Sequence, residues 1–277
     1  MKYGYAILLA IAVIAFVLLT YRPYELPKIV WTHWDTANLP DFQRLNLDRM
    51  RRYLPDWTVN FMTDESFATI CPAGDFPPNY DALSKQHKAD FIRLWLLKKH
   101  GGVWLDSSIV LNQSINDLHA ECLSKKAELS GFYIEGTTTD NRWPVFENWF
   151  IMAPAHSRFI EVWYDEYCKA IASGFLAYKA AAKRDRVHFH NLLTDENDIY
   201  LTQHLCFQKV LQHKLPDSKI IYKRAEDTMF RIQGSCKWNR ACINAAFRNP
   251  QIAKIPYFKL IGGDRPSFPL RYFALYE

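Results

Sequence analysis

The sharpest change of hydrophobic period along this chain lies between Ser84 and Ser108, SKQHKADFIRLWLLKKHGGVWLDSS, where helical spacing gives way to a short apolar run. Ser84 is an N-cap candidate, Ala89 to Lys99 favours helix, and Gly101-Gly102 supplies a C-terminal stop, so the helix is predicted to end near His100. On a 3.6-residue period Gln86, Asp90, Arg93, Leu97 and His100 share one side, while Phe91, Ile92, Trp95 and Leu96 form an apolar body. Val103-Trp104-Leu105 then reads as a short buried strand. Asp106-Ser107-Ser108 follows where that strand leaves the sheet, the place at which open α/β sheets bind ligands. Elsewhere, Tyr200 to Leu211 has the apolar spacing of a helix, with Gln203 and His204 near its start.

Tyr3 to Thr20 carries no charge and, if helical, spans about 27 Å, close to the hydrocarbon core of a bilayer. This predicts a retained transmembrane signal anchor over residues 3–20, followed by one catalytic domain over 21–277. Small residues are missing at the spacing a cleavage site needs before Tyr21, which favours retention over a cleaved signal peptide. Lys2 before the segment and Arg22, Glu25 and Lys28 after it leave almost no charge asymmetry to set orientation. The domain is therefore expected close to the membrane, which makes the membrane itself a partner. A Golgi-type secretory membrane with the domain in the lumen and a cytoplasm-facing domain are both compatible with these flanks.

Composition narrows the class further. With 277 residues, 49% of them hydrophobic, the chain can bury one sizeable core, and no repeat or Gly/Ser linker divides it. The net charge of +5 is spread over scattered lysines and arginines, which suits an anionic small molecule and not a nucleic acid. No P-loop, HExxH or GxSxG pattern is present. The six cysteines form no CxxC pair, although Cys236 and Cys242 are placed to bridge in a lumenal setting. Asn112-Gln113-Ser114 is a glycosylation sequon so close to Asp106 that a chance occurrence is the simpler reading.

The pattern AD-x-x-R, seven residues, then GG-V-W-L-D-x-S resembles the DXD sugar-transferase family and, more closely, the capsular polysaccharide synthesis protein family. The resemblance implies a GT-A-like α/β domain, a mixed sheet flanked by helices, that moves a sugar from a nucleotide-sugar donor to a glycan or glycolipid acceptor. It also implies retention of configuration. By the same resemblance Asp90 and Arg93 hold the nucleotide, and Asp106 is the catalytic residue that binds Mn²⁺ or Mg²⁺ on the diphosphate. Ser108 stands where the full motif has a second carboxylate and is the other candidate metal ligand. PKIVWTHWD resembles the family's first strand and loop, which implies a strand at Lys28-Ile29-Val30 with Trp31 and Trp34 following at its end and a second strand with its preceding turn over Tyr53 to Asp64; Trp34 aligns best with a base-stacking tryptophan and Trp31 is a second candidate. NRWPVFENWFIMAPAHSRF resembles the acceptor side, which makes Trp143, Glu147 and Asn148 candidates for sugar contacts.

Simpler readings stand beside these. Asp90 and Arg93 also make an ordinary i,i+3 pair worth a few tenths of a kcal/mol, Asp-Ser-Ser a turn, and one of the two tryptophans core. An inactive carbohydrate-binding membrane protein of the same fold is the alternative function, and a sugar-phosphate transferase is a third.

Overall fold

The computed structural model describes residues 23–189 and 197–275. Residues 3–20, the expected anchor, lie outside them. Among the described residues no helix is long and apolar enough to cross a membrane.

A six-stranded sheet in the order β2-β1-β3-β6-β5-β7 organises the fold. Its strands are β1 (Ile29–His33), β2 (Thr58–Met62), β3 (Gly102–Leu105), β5 (Leu129–Tyr133), β6 (Phe146–Ala153) and β7 (Ile220–Arg224). β1 runs parallel to β2 and β3, β5 runs parallel to β7, and β6 is antiparallel to both β3 and β5, so the sheet is mixed. β4 (Ile109–Leu111) and β8 (Tyr257–Lys259) form a separate antiparallel pair.

Both faces of the large sheet are covered, because successive strand residues point to opposite sides. Trp31 and Trp104 enter a core with helices α3 (Lys85–His100), α5 (Arg158–Ser173) and α7 (Thr202–His213). Val30, Val103 and Leu105 enter the opposite one with Met50 of helix α1 (Asp41–Tyr53) and with Leu118 of helix α4 (Asn116–Lys125). A third cluster, built on Val110, Phe247, Phe258 and Phe268, packs the C-terminal segment behind β4.

The join between α3 and β3 follows the sequence chemistry closely. Ser84 caps α3 by accepting from the His87 amide, and the Gly101 amide closes the last turn on Leu97 O at 2.9 Å. Gly101 and Gly102 have φ of 64° and 95°, and a Cβ on them would lie 2.4 Å from Ala155 N and 2.5 Å from Ile29 O. Both conformation and close approach therefore require glycine here.

Two expectations change. β1 runs on to His33, which puts Trp31 inside the strand instead of at its end. The polar side expected for α3 holds only over its first half, since Leu97 is fully buried and His100 packs on Trp31 and Trp95. Asn112 of the sequon has its side-chain amide committed, donating to Ile252 O and Ile255 O while its Oδ1 accepts from Arg49 and Tyr272.

Candidate functional site

Strand ends, the start of α3 and the loop after β8 converge on a cavity of about 520 Å³. It is lined by Trp34 and Asp35 beyond β1, Asp90 and Arg93 of α3, Asp106 to Ser108 beyond β3, Asn148 of β6, and Lys259 to Gly262 with Arg265.

The floor is one connected network of charges and amides. Arg93 is 4% exposed and lies over the Trp104 ring at 4.8 Å. Its Nη1 donates to Asp90 and, at 2.7 Å, to Gln203 Oε1, and its Nη2 reaches Asp106 Oδ1 at 3.3 Å. Asn148 Nδ2 donates to the same Asp90 Oδ1 at 3.0 Å and to Gln203 Oε1 at 2.7 Å. Gln203 closes the ring by donating to the Asp90 backbone carbonyl at 2.6 Å. Asp90 and Arg93 are thus more than a surface pair, because removing one partner leaves the other charged and buried.

Asp106 sits at the junction of this network and the small sheet. Its Oδ1 also accepts from Trp104 Nε1 at 2.9 Å, and its Oδ2 accepts from Lys259 Nζ at 2.9 Å. Lys259 Nζ in turn donates to Ser108 Oγ at 3.0 Å. Burial works to raise the Asp106 pKa, but the Lys259 and Arg93 charges outweigh it and hold the carboxyl below its ordinary value. The lysine is positioned by backbone pairing. It faces Ile109 across the β4–β8 ladder, and Leu260 N donates to Ser108 O at 3.0 Å, which clamps the Asp106 turn to the end of β8.

Toward the mouth, Arg265 lies over the Trp34 ring at 5.6 Å, and Lys85 pairs with Asp35. Among the described residues Arg265 has no carboxylate partner. His33 holds Asp64 at 2.9 Å and stacks beside Trp104. Tyr200 stands 63% exposed on the rim, and neither ring nitrogen of the buried His204 has a hydrogen-bond partner among the described residues.

The expected site residues therefore divide. Trp34, Asp90, Arg93, Asp106, Ser108 and Asn148 meet in one pocket. Trp31 does not line it: its ring is buried in the helix-side core, with Nε1 donating to Gly101 O at 3.0 Å. Trp143 packs away from the pocket between Arg142 and His188. Glu147 accepts from Trp149 Nε1 at 2.7 Å and stands 3.9 Å behind His204, so it too does not line the cavity. Asn148 is bound into the Asp90 network, not set out as a separate sugar contact. Lys259, Arg265 and, at the rim, Lys85 are pocket cations outside the expected set, and no local pattern around YFKLIGGDR distinguishes the first two from surface charges.

The residues around Asp106 are a poor set for a hard divalent cation, which in a phosphate-binding site is held by one or two carboxylates with free oxygens together with substrate phosphates and water. Both oxygens of the one carboxylate are already hydrogen-bonded, Ser108 Oγ is engaged by the same ammonium, and among the described residues no group of three His, Cys, Asp or Glu side chains converges. The fit to Mn²⁺ or Mg²⁺ expected from the motif is therefore poor.

This is a mixed α/β protein with a polar, cation-lined pocket at the carboxyl ends of β1 and β3. Residues 9–172 match the model of the capsular polysaccharide synthesis protein family, and the chain belongs to that family. It is 31% identical to the O-glycosyltransferase braB of Annulohypoxylon truncatum over 54% of this chain and 39% of that protein. It is 25% identical to the O-glycosyltransferase PaGT of Phomopsis amygdali over 64% and 48%, so the match spans less than half of each curated relative. A glycosyltransferase involved in the glycosylation of the major capsid of PBCV-1 is similar with a TM-score of 0.47 at 10% identity, covering 86% of this chain and 96% of that one.

Proposed function

We propose that this protein is a glycosyltransferase of GT-A type that moves a sugar from a nucleotide-sugar donor to a hydroxyl of a glycan or glycolipid. The observation that carries the reading is the single pocket in which Asp90, Arg93, Asp106 and Trp34 meet at strand ends. Family membership and the two O-glycosyltransferase relatives support it.

In this reading the Trp34 ring stacks on the base, and Asp90, whose Oδ2 carries no hydrogen bond among the described residues, accepts from the ribose or base. Arg93 holds Asp90 and Asp106 in place, while Lys259 and Arg265 face the diphosphate. The acceptor enters past Tyr200 and His204, not past Trp143 and Glu147. The anchor over residues 3–20 holds the domain at a membrane, where a lipid-linked acceptor is within reach. A lumenal domain is supported by the Cys236–Cys242 disulfide, whose Cα atoms lie 5.6 Å apart, since such bridges persist in oxidising compartments. Retention of configuration belongs to the same proposal and is read from the anomeric signals of the product.

The test is nucleotide release by the full chain from a panel of nucleotide sugars offered with oligosaccharide and lipid-linked acceptors. A transferase releases nucleoside diphosphate in step with a glycosylated product. An inactive carbohydrate binder releases nothing, and a sugar-phosphate transferase releases the monophosphate; either result rejects the reading.

A further inference from the structure

We propose that the Lys259 ammonium is the resident cation of this pocket, taking the diphosphate-neutralising position at Asp106 and Ser108 so that donor binding and departure need no divalent metal. The inference rests on the nucleotide-sugar reading above and goes beyond it in naming what balances the diphosphate.

Occupancy is the first argument. The two side chains that would present oxygens to a metal, Asp106 and Ser108, both already bind Lys259 Nζ, at 2.9 and 3.0 Å. A neutral hydroxyl in place of a second carboxylate weakens the site for a hard dication, whereas it suits an ammonium, which needs acceptors and not full charges. The second argument is rigidity. Lys259 is 8% exposed, its amide donates to Met229 O at 2.8 Å, and its carbonyl accepts from Gln233 Nε2 at 2.8 Å. Its ammonium also lies 5.7 Å from the centre of the Trp149 ring. A metal would have to displace a buried charge from a fixed strand. Charge balance is the third. Around the pocket three cations, Arg93 and Lys259 on the floor and Arg265 toward the mouth, face two carboxylates, Asp90 and Asp106, and the Lys85–Asp35 pair at the rim is self-compensated. The surplus is positive without any added ion, as an anionic leaving group requires.

In the transfer step the bond between the anomeric carbon and the β-phosphate oxygen breaks, and its electron pair stays on that oxygen. The acceptor hydroxyl oxygen forms the new bond to carbon, and its proton passes to the departing diphosphate. The Lys259 ammonium takes no part in the proton transfer and offsets the negative charge that builds on the leaving oxygen.

Calorimetric titration of the full chain with UDP, GDP, ADP and CDP, first in EDTA and then with Mn²⁺, decides the matter. We expect one diphosphate to bind in EDTA with an affinity within about threefold of that in Mn²⁺. Lys259→Met should weaken that diphosphate about 10- to 100-fold, the range for losing a charge-assisted hydrogen bond, and leave the parent nucleoside unaffected. Lys259→Arg, which keeps the charge, should recover most of the loss. If Lys259→Met fails to fold, the wild-type comparison of EDTA with Mn²⁺ still decides. Diphosphate binding seen only with Mn²⁺ would overturn the proposal and leave the donor reading standing. Absence of binding by every diphosphate in both conditions would overturn both.

Discussion

Two buried charge networks in this molecule look alike and do different work. One joins Asp90, Arg93, Asp106 and Lys259 beneath the pocket. The other surrounds Glu166 of α5, which is 2% exposed and bonded by Tyr178 OH at 2.9 Å, by Lys214, and by Lys209 at 3.4 Å, with Lys169 at 3.7 Å. In the Glu166 network both carboxylate oxygens are engaged, Lys209 has a second partner in Asp185, and none of its members lines the cavity. In the pocket network Asp90 keeps one oxygen without a partner among the described residues, and Arg265 above it has no carboxylate partner among them. A buried ion pair by itself therefore says nothing about function. Unspent bonding capacity facing a cavity is what separates the binding network from the structural one.

The largest expected effect follows on the pocket side. Asp106→Ala should cut transfer by at least about 100-fold, since it frees Lys259 from the position that faces the leaving group, and should also lower the melting temperature, because Arg93 and Lys259 lose the carboxylate they share. Turnover of that variant near the wild-type rate would remove Asp106 from the chemistry.

Glu166→Ala is the mirror experiment. Leaving three lysines around a missing carboxylate should cost about 3–5 kcal/mol of stability, seen in denaturant unfolding, with nucleotide affinity unchanged below the transition. A loss of affinity without a loss of stability would erase the distinction drawn here.

Asp90→Ala falls between the two because Asp90 belongs to both categories. It should weaken nucleotide binding by about 1.5–3 kcal/mol and also lower stability, because Arg93 and Asn148 lose their acceptor. A change in stability alone would assign Asp90 to structure.

The smallest effect is a pH dependence. Burial works to raise the Glu166 pKa, but the Lys214 and Tyr178 hydrogen bonds and the neighbouring lysine charges outweigh it and hold the carboxyl below its ordinary value. A carboxyl depressed in the folded state contributes stability above its unfolded pKa, and that contribution is lost as pH falls through the folded value. Melting temperatures from about pH 5 down to about pH 2 should therefore fall less steeply in Glu166→Gln than in the wild type. Parallel slopes would show that Glu166 is not a source of acid sensitivity.

Much of this was legible in the sequence where the chemistry is local. The Ser84 cap, the Gly101-Gly102 stop and the strand-end Asp106 lie within one short segment, and each is set by backbone rules that a single sequence carries. Trp31 was harder, since a strand two or three residues longer than its apolar start turns an end position into a core one. Lys259 was not legible at all. It reaches Asp106 across 153 residues of chain through a three-residue strand, and pairings of that kind depend on the tertiary fold instead of a repeating pattern. Glu147 illustrates the converse: a carboxylate beside the right asparagine is satisfied by Trp149, two residues along on the same strand, and never faces the cavity.

The central claim, sugar transfer from a nucleotide donor bound at Asp106, is tested most directly by diphosphate release from a nucleotide-sugar panel, comparing wild type with Asp106→Asn, each with and without Mn²⁺. One donor should give diphosphate and glycosylated product with the wild type and almost none with Asp106→Asn. Equal release by both proteins, or no release from any donor with any acceptor, would contradict it.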